Sequence, residues 1–252
     1  MSVPFVSLLV DGDAASVASA RAQVGIRAEL VMPAGVAGLQ DVAVAMPADA
    51  TMAERHAALW AAATAPVAVW FYREETSTPD RVRQQLEALA QTGATGCLTR
   101  APGGTQLSGR VIAVSAQQAF GGPCWLGGLA VRRAAVMPFG MPEGAVRGFG
   151  MVLASLLACA SPLVLLDRCL VEPMPLPDGL APQEGLQAGR LQERILALEA
   201  VSGIEPGTPY DGPHRGAVHG ALIAASVRLA ASWTQARNQS LKQSGAPSWK
   251  VD

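Results

Sequence analysis

Hydrophobic and polar positions along the first hundred residues switch repeatedly between two periods. Residues 4–10 (PFVSLLV) form a continuous apolar run of the kind found in strands buried on both faces. Residues 14–23, rich in Ala and Arg, read as a helix stopped by Gly25. Residues 28–32 predict a second strand closed by Pro33 and Gly35, residues 52–64 an alanine-dense helix, and residues 66–71 (PVAVWF) another buried strand. The next helix carries explicit start signals: Thr78 as N-cap, Pro79 at the first helical position and Asp80 in the first turn. Its apolar face is Val82, Leu86 and Leu89. This order predicts an α/β fold, a mostly parallel or mixed sheet with helices on both faces. Ligands of such sheets gather at the carboxyl ends of the strands, which singles out the loops 11–13, 32–36 and 72–76.

Beyond Thr99 the pattern changes. Residues 101–108 read as a Gly/Pro loop, 110–115 as a strand, 121–128 as a loop holding Cys124 and Trp125, and 129–131 as a short strand. Residues 149–166 are 18 positions without a charge, long enough to raise the question of a membrane span. The Ser161-Pro162 break divides them instead into a buried helix ending near Ala160 and a strand over 163–166. Prolines 173, 175, 177 and 182 predict an extended linker over 173–183 between a domain of residues 1–172 and C-terminal helices and tail over 184–252. Those helices carry two apolar stripes. One is Leu191, Ile195 and Leu198; the other is Val218, Leu222, Ala225, Leu229, Trp233 and Ala236.

Composition narrows the function classes. Of 252 residues 50% are hydrophobic and 15% charged, which supplies a large core and excludes an intrinsically disordered chain. A balance of 19 basic against 20 acidic residues provides no whole-chain basic field, so nucleic acid is not an expected partner. The only lysines are Lys242 and Lys250, which excludes a P-loop or Schiff-base lysine inside the domain. Cysteines 97, 124, 159 and 169 form no C-x-x-C pair and read as small buried hydrophobes of a reducing compartment. The N-terminal apolar run is short, lacks a basic leader and ends in Asp11-Gly12-Asp13, unlike a signal peptide. The expected location is cytoplasmic, with a membrane-peripheral placement as the alternative.

The segment ERHAALWAAATAPVAVWFYREETSTPDRVRQQLEALAQ resembles the nucleotide-sugar segment of family-two glycosyltransferases with the GT-A fold, part of the nucleotide-diphospho-sugar transferase superfamily. In that family an Arg-bearing helix leads into an apolar strand ending in Asp-x-Asp, followed by a Pro-Asp-Arg helix. PFVSLLVDGD and ARAQVGIRAELVMPAG resemble its opening strand, helix and second strand. WLGGLAVRRAAV resembles the acceptor-side strand, and RGFGMVLASLLACASPLVLL stands in the place of the helix that carries the catalytic base. The likeness covers residues 4–172 and implies a Rossmann-like GT-A domain that transfers a sugar from a nucleotide diphosphate sugar, followed by C-terminal helices.

That chemistry requires the leaving diphosphate to be neutralised, usually by Mn or Mg between carboxylates, and an Asp or Glu base for the acceptor hydroxyl. Where the resemblance puts the metal motif the chain reads Tyr72-Arg73-Glu74-Glu75, with Tyr72 in place of the first carboxylate. Three readings stay open: Glu74 with Glu75 holds a divalent ion, Arg73 replaces the ion at the phosphates, or the cluster is a solvated strand end. Arg55-His56 stands where the resemblance expects Arg-Asn, which makes Arg55 a candidate nucleotide-binding residue beside Arg73; Asp11 and Asp13, at the end of the first strand, are candidates by position, although Asp11-Gly12-Asp13 also suits a simple turn. The family's Asp-Asp-Gly-Ser turn has become Pro33-Ala34-Gly35-Val36, leaving no side chain there to read a base edge. Its Glu-Asp base pair aligns with Phe149-Gly150, so Glu143 is the candidate catalytic substitute. Trp125, between two Gly-Gly pairs, is a candidate platform for a sugar or acceptor, or a buried indole.

Two functions follow. One is a glycosyltransferase acting on a nucleotide sugar; the other is a non-catalytic GT-A-like binding or assembly subunit, since metal motif, base-reading acid and proton acceptor are all altered together. From His214 onward five basic residues face one acid, Asp252. These helices are expected to pack on the domain, on a second copy or on a partner protein, in preference to a membrane surface.

Overall fold

The computed structural model describes residues 5–12, 14–47, 49–50, 52–72, 75–100, 109–121, 124–136, 149–173 and 183–243. The apolar run at the start becomes β1 (Phe5–Asp11), followed by α1 (Ala14–Arg21), β2 (Arg27–Pro33), β3 (Val42–Val44), α2 (Met52–Ala62) and β4 (Val67–Tyr72). Next come β5 (Glu75–Ser77), α3 (Arg81–Thr92), β6 (Gly96–Arg100), β7 (Val111–Val114), α4 (Ala116–Gly121) and β8 (Cys124–Arg132). The chain continues with α5 (Phe149–Ala160), β9 (Leu163–Leu166), β10 (Val171–Pro173), α6 (Gln183–Ser202) and α7 (Arg215–Gln243). Eight strands form one mixed sheet in the order β3-β2-β1-β4-β8-β6-β9-β7, and β10 pairs with β5 in a separate ribbon. β1, β2, β3 and β4 run parallel, β8 is antiparallel to β4 and β6, and β9 is parallel to β6.

Both faces of this sheet are covered, which is why its central strands lack polar alternation. Along β1, Leu8 and Val10 pack toward α1 and α3, with Val17, Val82, Leu86 and Leu89. Leu9 faces the other way, into a core shared with Leu59 and Trp60 of α2, the buried length of α5, and Ala197, Val218 and Leu222 of α6 and α7. On that side the indoles of Trp60 and Trp70 stack with ring centroids 5.2 Å apart. The uncharged stretch of 149–166 divides into α5 and β9, as its Ser-Pro break predicts. Every residue of α5 from Met151 to Cys159 is buried, as expected of a helix apolar all round. Among the described residues no helix is long and apolar enough to cross a membrane.

Two expectations need correction. The predicted loop 121–128 is strand from Cys124 onward: β8 pairs Thr99 with Trp125 and Cys97 with Ala130, so extra β8 residues bulge between them. Gly127-Gly128 falls inside that bulge, and the Gln85 side-chain amide donates to the carbonyls of Gly128 (2.6 Å) and Cys97 (3.1 Å). Thr78 is not the N-cap of α3. The cap is Asp80, whose side chain caps nothing, and Gln23 Oε1 instead accepts from the Val82 N–H at 3.0 Å. Pro173, the first residue of the predicted linker, ends β10, whose Val171 and Pro173 pair with Ser77 and Glu75; residues 174–182 lie outside the described residues.

The turn before α7 docks directly on the end of α5. The His214 N–H donates to the Cys159 carbonyl at 3.2 Å, meeting one of the acceptors a helix end leaves open. Gly212 makes this approach sterically feasible: a Cβ there would lie 2.6 Å from the Ala160 Cα and closer still to the Cys159 carbonyl oxygen. Both are backbone atoms that cannot rotate away. Gly212→Ala is therefore expected to lower the unfolding free energy by about 1–3 kcal/mol through overpacking. The measurement is a urea titration, and an unshifted midpoint would show that the two segments do not touch.

Candidate functional site

β1 and β4 end side by side at the carboxyl edge of the sheet, with Asp11 in register with Tyr72. Successive strand side chains alternate between faces, so Asp11, two residues after Leu9, points to the α2 side. There Arg55 Nε donates to Asp11 Oδ1 at 2.9 Å, and its Nη2 donates to the same oxygen. His56, the next residue of α2 and fully buried, places Nε2 at 3.3 Å from Asp11 Oδ2. The imidazole meets the Tyr72 ring edge-on, with centroids 5.5 Å apart. Ser16 of α1 donates to the Tyr72 carbonyl at 2.8 Å and fixes the end of β4. Burial of Asp11 works to raise its pKa, but the bonds from His56 and Arg55, with their charge, outweigh it and bring the carboxyl down to about 2.

A second polar group lies under the same strand ends, on the α3 side. Arg81 is completely buried. Its Nη2 donates to the Trp70 carbonyl at 3.1 Å, Nη1 to Ser77 Oγ at 2.8 Å and Nε to Gln85 Oε1 at 3.2 Å, while the guanidinium lies 4.8 Å over the Phe71 ring. Burial lowers the Arg81 pKa to about 10, with the charge of Glu75 opposing, so it remains a cation at neutral pH. Burial and the charges of Glu75 and Asp11 push the Tyr72 phenol well above its ordinary value. A phenol held neutral in this way does not replace the carboxylate that the resemblance expects at this position.

The structure thus joins two of the predicted nucleotide-binding residues, Asp11 and Arg55, in one ion pair. Asp13, Arg73, Glu74 and Glu143 lie outside the described residues. Glu75 opens β5, and its charge favours the cationic form of Arg81; among the described residues no group of three His, Cys, Asp or Glu is placed to hold a metal ion. Trp125 lies near the start of β8 opposite Thr99, and nothing further is described of its side chain. Sequence reasoning did not single out His56 or Arg81. The signal for the first is its place beside Arg55, where the resemblance expects Asn, and for the second the Pro-Asp-Arg start of α3. The buried thiols of Cys97 and Cys159 are raised by desolvation to about 12 and about 11, which removes them as nucleophiles near neutral pH.

No protein-family model matches the chain, and no curated protein matches it. Solved structures do. Residues 1–349 of S. aureus TarS superpose with a TM-score of 0.60 at 7% identity, over 91% of this chain and 73% of that one. The same TarS fragment in complex with UDP matches with a TM-score of 0.54 at 8% identity, over 95% and 72%. Against the longer TarS chain the match spans 46% of its length. Glucosyl-3-phosphoglycerate synthase from Mycobacterium tuberculosis, in complex with Mn2+, UDP and phosphoglyceric acid, matches with a TM-score of 0.58 at 15% identity, over 82% and 81%. At such identities the likeness establishes the fold alone: an α/β sheet of the GT-A type.

The Asp11 cluster predicts a pH signature. The folded-state pKa of about 2 lies below the ordinary 3.8, so the charged carboxylate stabilises the fold above about pH 4 and loses that effect as pH falls toward 2. The difference corresponds to about 2 kcal/mol. Asp11→Asn should therefore cost about that much at pH 7, with the gap to wild type closing between about pH 4 and pH 2. Urea titrations across this range measure it; a gap that stays constant would show that ionisation of Asp11 is not its source.

Proposed function

We propose that the protein binds a nucleotide diphosphate sugar at the carboxyl edge of β1 and β4 and acts as a family-two-like glycosyltransferase with an altered active site. The observation that carries this reading is the buried, ionised Asp11, held by Arg55 and His56 at the end of a central parallel strand. The likeness to TarS and the mycobacterial synthase, both crystallised with UDP, supports a glycosyltransferase-like role for this edge.

A carboxylate with a pKa of about 2 is a weak proton acceptor but a strong hydrogen-bond acceptor. In this reading Asp11 receives hydroxyl or N–H groups of the nucleoside, a contact that Pro33-Ala34-Gly35-Val36 has no acid to make. Arg55 lends its remaining charge to the phosphates. Arg73, which follows β4 in the sequence, neutralises the leaving diphosphate, and Glu74 holding Mn or Mg is the alternative for that task. In the transfer itself the acceptor oxygen bonds to the sugar carbon as the bond to the diphosphate breaks, and the acceptor proton passes to a base, the role assigned to Glu143.

One observation favours a second reading, a non-catalytic binding or assembly subunit. α5 opens with Phe149-Gly150 where the resemblance expects the base, and neither residue accepts a proton.

Thermal unfolding with UDP, UDP-glucose and GDP, each with and without Mn2+, tests the proposal. A nucleotide at a hundred times its Kd should stabilise the fold by about 2.7 kcal/mol, and Asp11→Asn should abolish most of that gain. No shift with any nucleotide would refute both catalytic and binding versions of the donor site. A shift that needs Mn2+ and is lost in Glu74→Ala assigns the diphosphate to a metal; a Mn2+-independent shift lost in Arg73→Ala assigns it to the guanidinium. Binding of UDP-glucose without release of UDP in the presence of any acceptor would select the second reading.

A further inference from the structure

Another charged pair occupies the same edge and the same face, away from Asp11. Leu98 of β6 and Leu165 of β9 face the core beneath α5, as Leu9 does. Two residues further on, Arg100 and Asp167 point to that side too, and Arg100 Nε donates to Asp167 Oδ1 at 2.5 Å. The Asp167 side chain is only 5% exposed, whereas that of Arg100 is 18% exposed. The peptide around Asp167 is fixed on both sides: its N–H donates to the Arg110 carbonyl at 2.9 Å, and its carbonyl accepts from the Gly109 N–H at 3.2 Å. The Arg100 N–H donates to the Arg168 carbonyl at 3.0 Å, so both partners sit on a rigid backbone. Asp167 engages Arg100 through Nε, and among the described residues Nη1 and Nη2 carry no bond.

A guanidinium gripped at Nε by a buried carboxylate, with its terminal nitrogens uncommitted, is a pre-oriented donor for an oxyanion. Asp167 removes the conformational freedom that an arginine ordinarily surrenders on binding. Two further cations flank Asp167: Arg110, whose carbonyl accepts from the Asp167 N–H, and the next residue Arg168, whose side chain is turned away to Gln84 Oε1 on α3 at 2.9 Å. β6 lies three strand positions from β1 in the order β1-β4-β8-β6, about 14 Å at the usual strand spacing. That separation leaves room for a second ligand beside one held at Asp11.

We propose that Arg100, oriented by Asp167, is the anion-recognition group of a second subsite on this edge, and that the acceptor is a molecule bearing a phosphate or carboxylate. The acceptor assignment rests on the nucleotide-sugar reading of Asp11; the anion site itself does not.

Inorganic phosphate is the probe, titrated into the full chain alone and again with UDP at saturation, with binding followed by the spectra of labelled arginine side chains and by thermal shift. Phosphate should perturb Arg100 and bind equally well with or without UDP. Arg100→Gln should weaken phosphate by about tenfold or more and leave the UDP affinity within about twofold. Because Gln removes the cation that faces the buried Asp167 carboxylate, Arg100→Lys is the companion variant: it keeps a cation beside Asp167 but loses the fork, and should also weaken phosphate. Phosphate binding that survives both substitutions, or no phosphate binding at any concentration that leaves the fold intact, would overturn the proposal. Competition between phosphate and UDP would overturn the acceptor assignment and give the anion seat to the donor diphosphate. Should UDP fail to bind while Arg100-dependent phosphate binding remains, the donor reading falls and the anion site stands.

Discussion

Ionised groups inside an apolar sheet must bring their partners with them, and this constraint organises the strand ends on both faces. Desolvating a carboxylate or guanidinium costs several kcal/mol unless opposite charges and hydrogen bonds replace the lost water. On one face Asp11 draws in Arg55 and His56 from α2; on the other Arg81 is met by Ser77, Gln85, the Trp70 carbonyl and the charge of Glu75. β4 lies between the two clusters. The end of the strand is therefore gripped from both faces.

A lowered carboxyl pKa does not by itself mark a site. Glu29 of β2 is also held below its ordinary value: burial raises it, and bonds from Ser7, Thr64 and Ala65 outweigh that. The Thr64 N–H and hydroxyl reach it at 2.6 and 2.7 Å and the Ala65 N–H at 3.0 Å. Those donors belong to the connection between α2 and β4, at the amino end of the strand, so Glu29 is a staple for a turn. Asp11 differs in position and in its partners, the Arg55 guanidinium and the His56 imidazole of α2 at the carboxyl end, where an α/β sheet receives ligands.

Much of the fold was legible because its central strands are buried on both faces and appear as unbroken apolar runs. The division of 149–166 into helix and strand followed from one Ser-Pro step. What escaped the sequence were features decided by distant partners. The donor at the start of α3 is met by Gln23, 59 residues away, and no local signal marks that capping. Arg81 carries the signature of an exposed helix charge and is wholly enclosed. For the site, Asp11 and Arg55 were recognisable separately, the first from a strand end and the second from a family likeness; their union across 44 residues is a product of topology.

The bulge in β8 has a consequence for the shape of the sheet. β4 and β8 are laddered over Val67–Val69 against Ala130–Arg132, and that ladder ends there. The carbonyl of Trp70, the next residue, goes to Arg81. Beyond the extra residues, the front of β8 follows β6, with Cys124 opposite Arg100. Among the described residues no ladder joins Trp70–Tyr72 to β8, while the first residues of β8 stay paired with β6. A bulge that holds two glycines thus decides, through the register of β8, where the β4–β8 ladder stops.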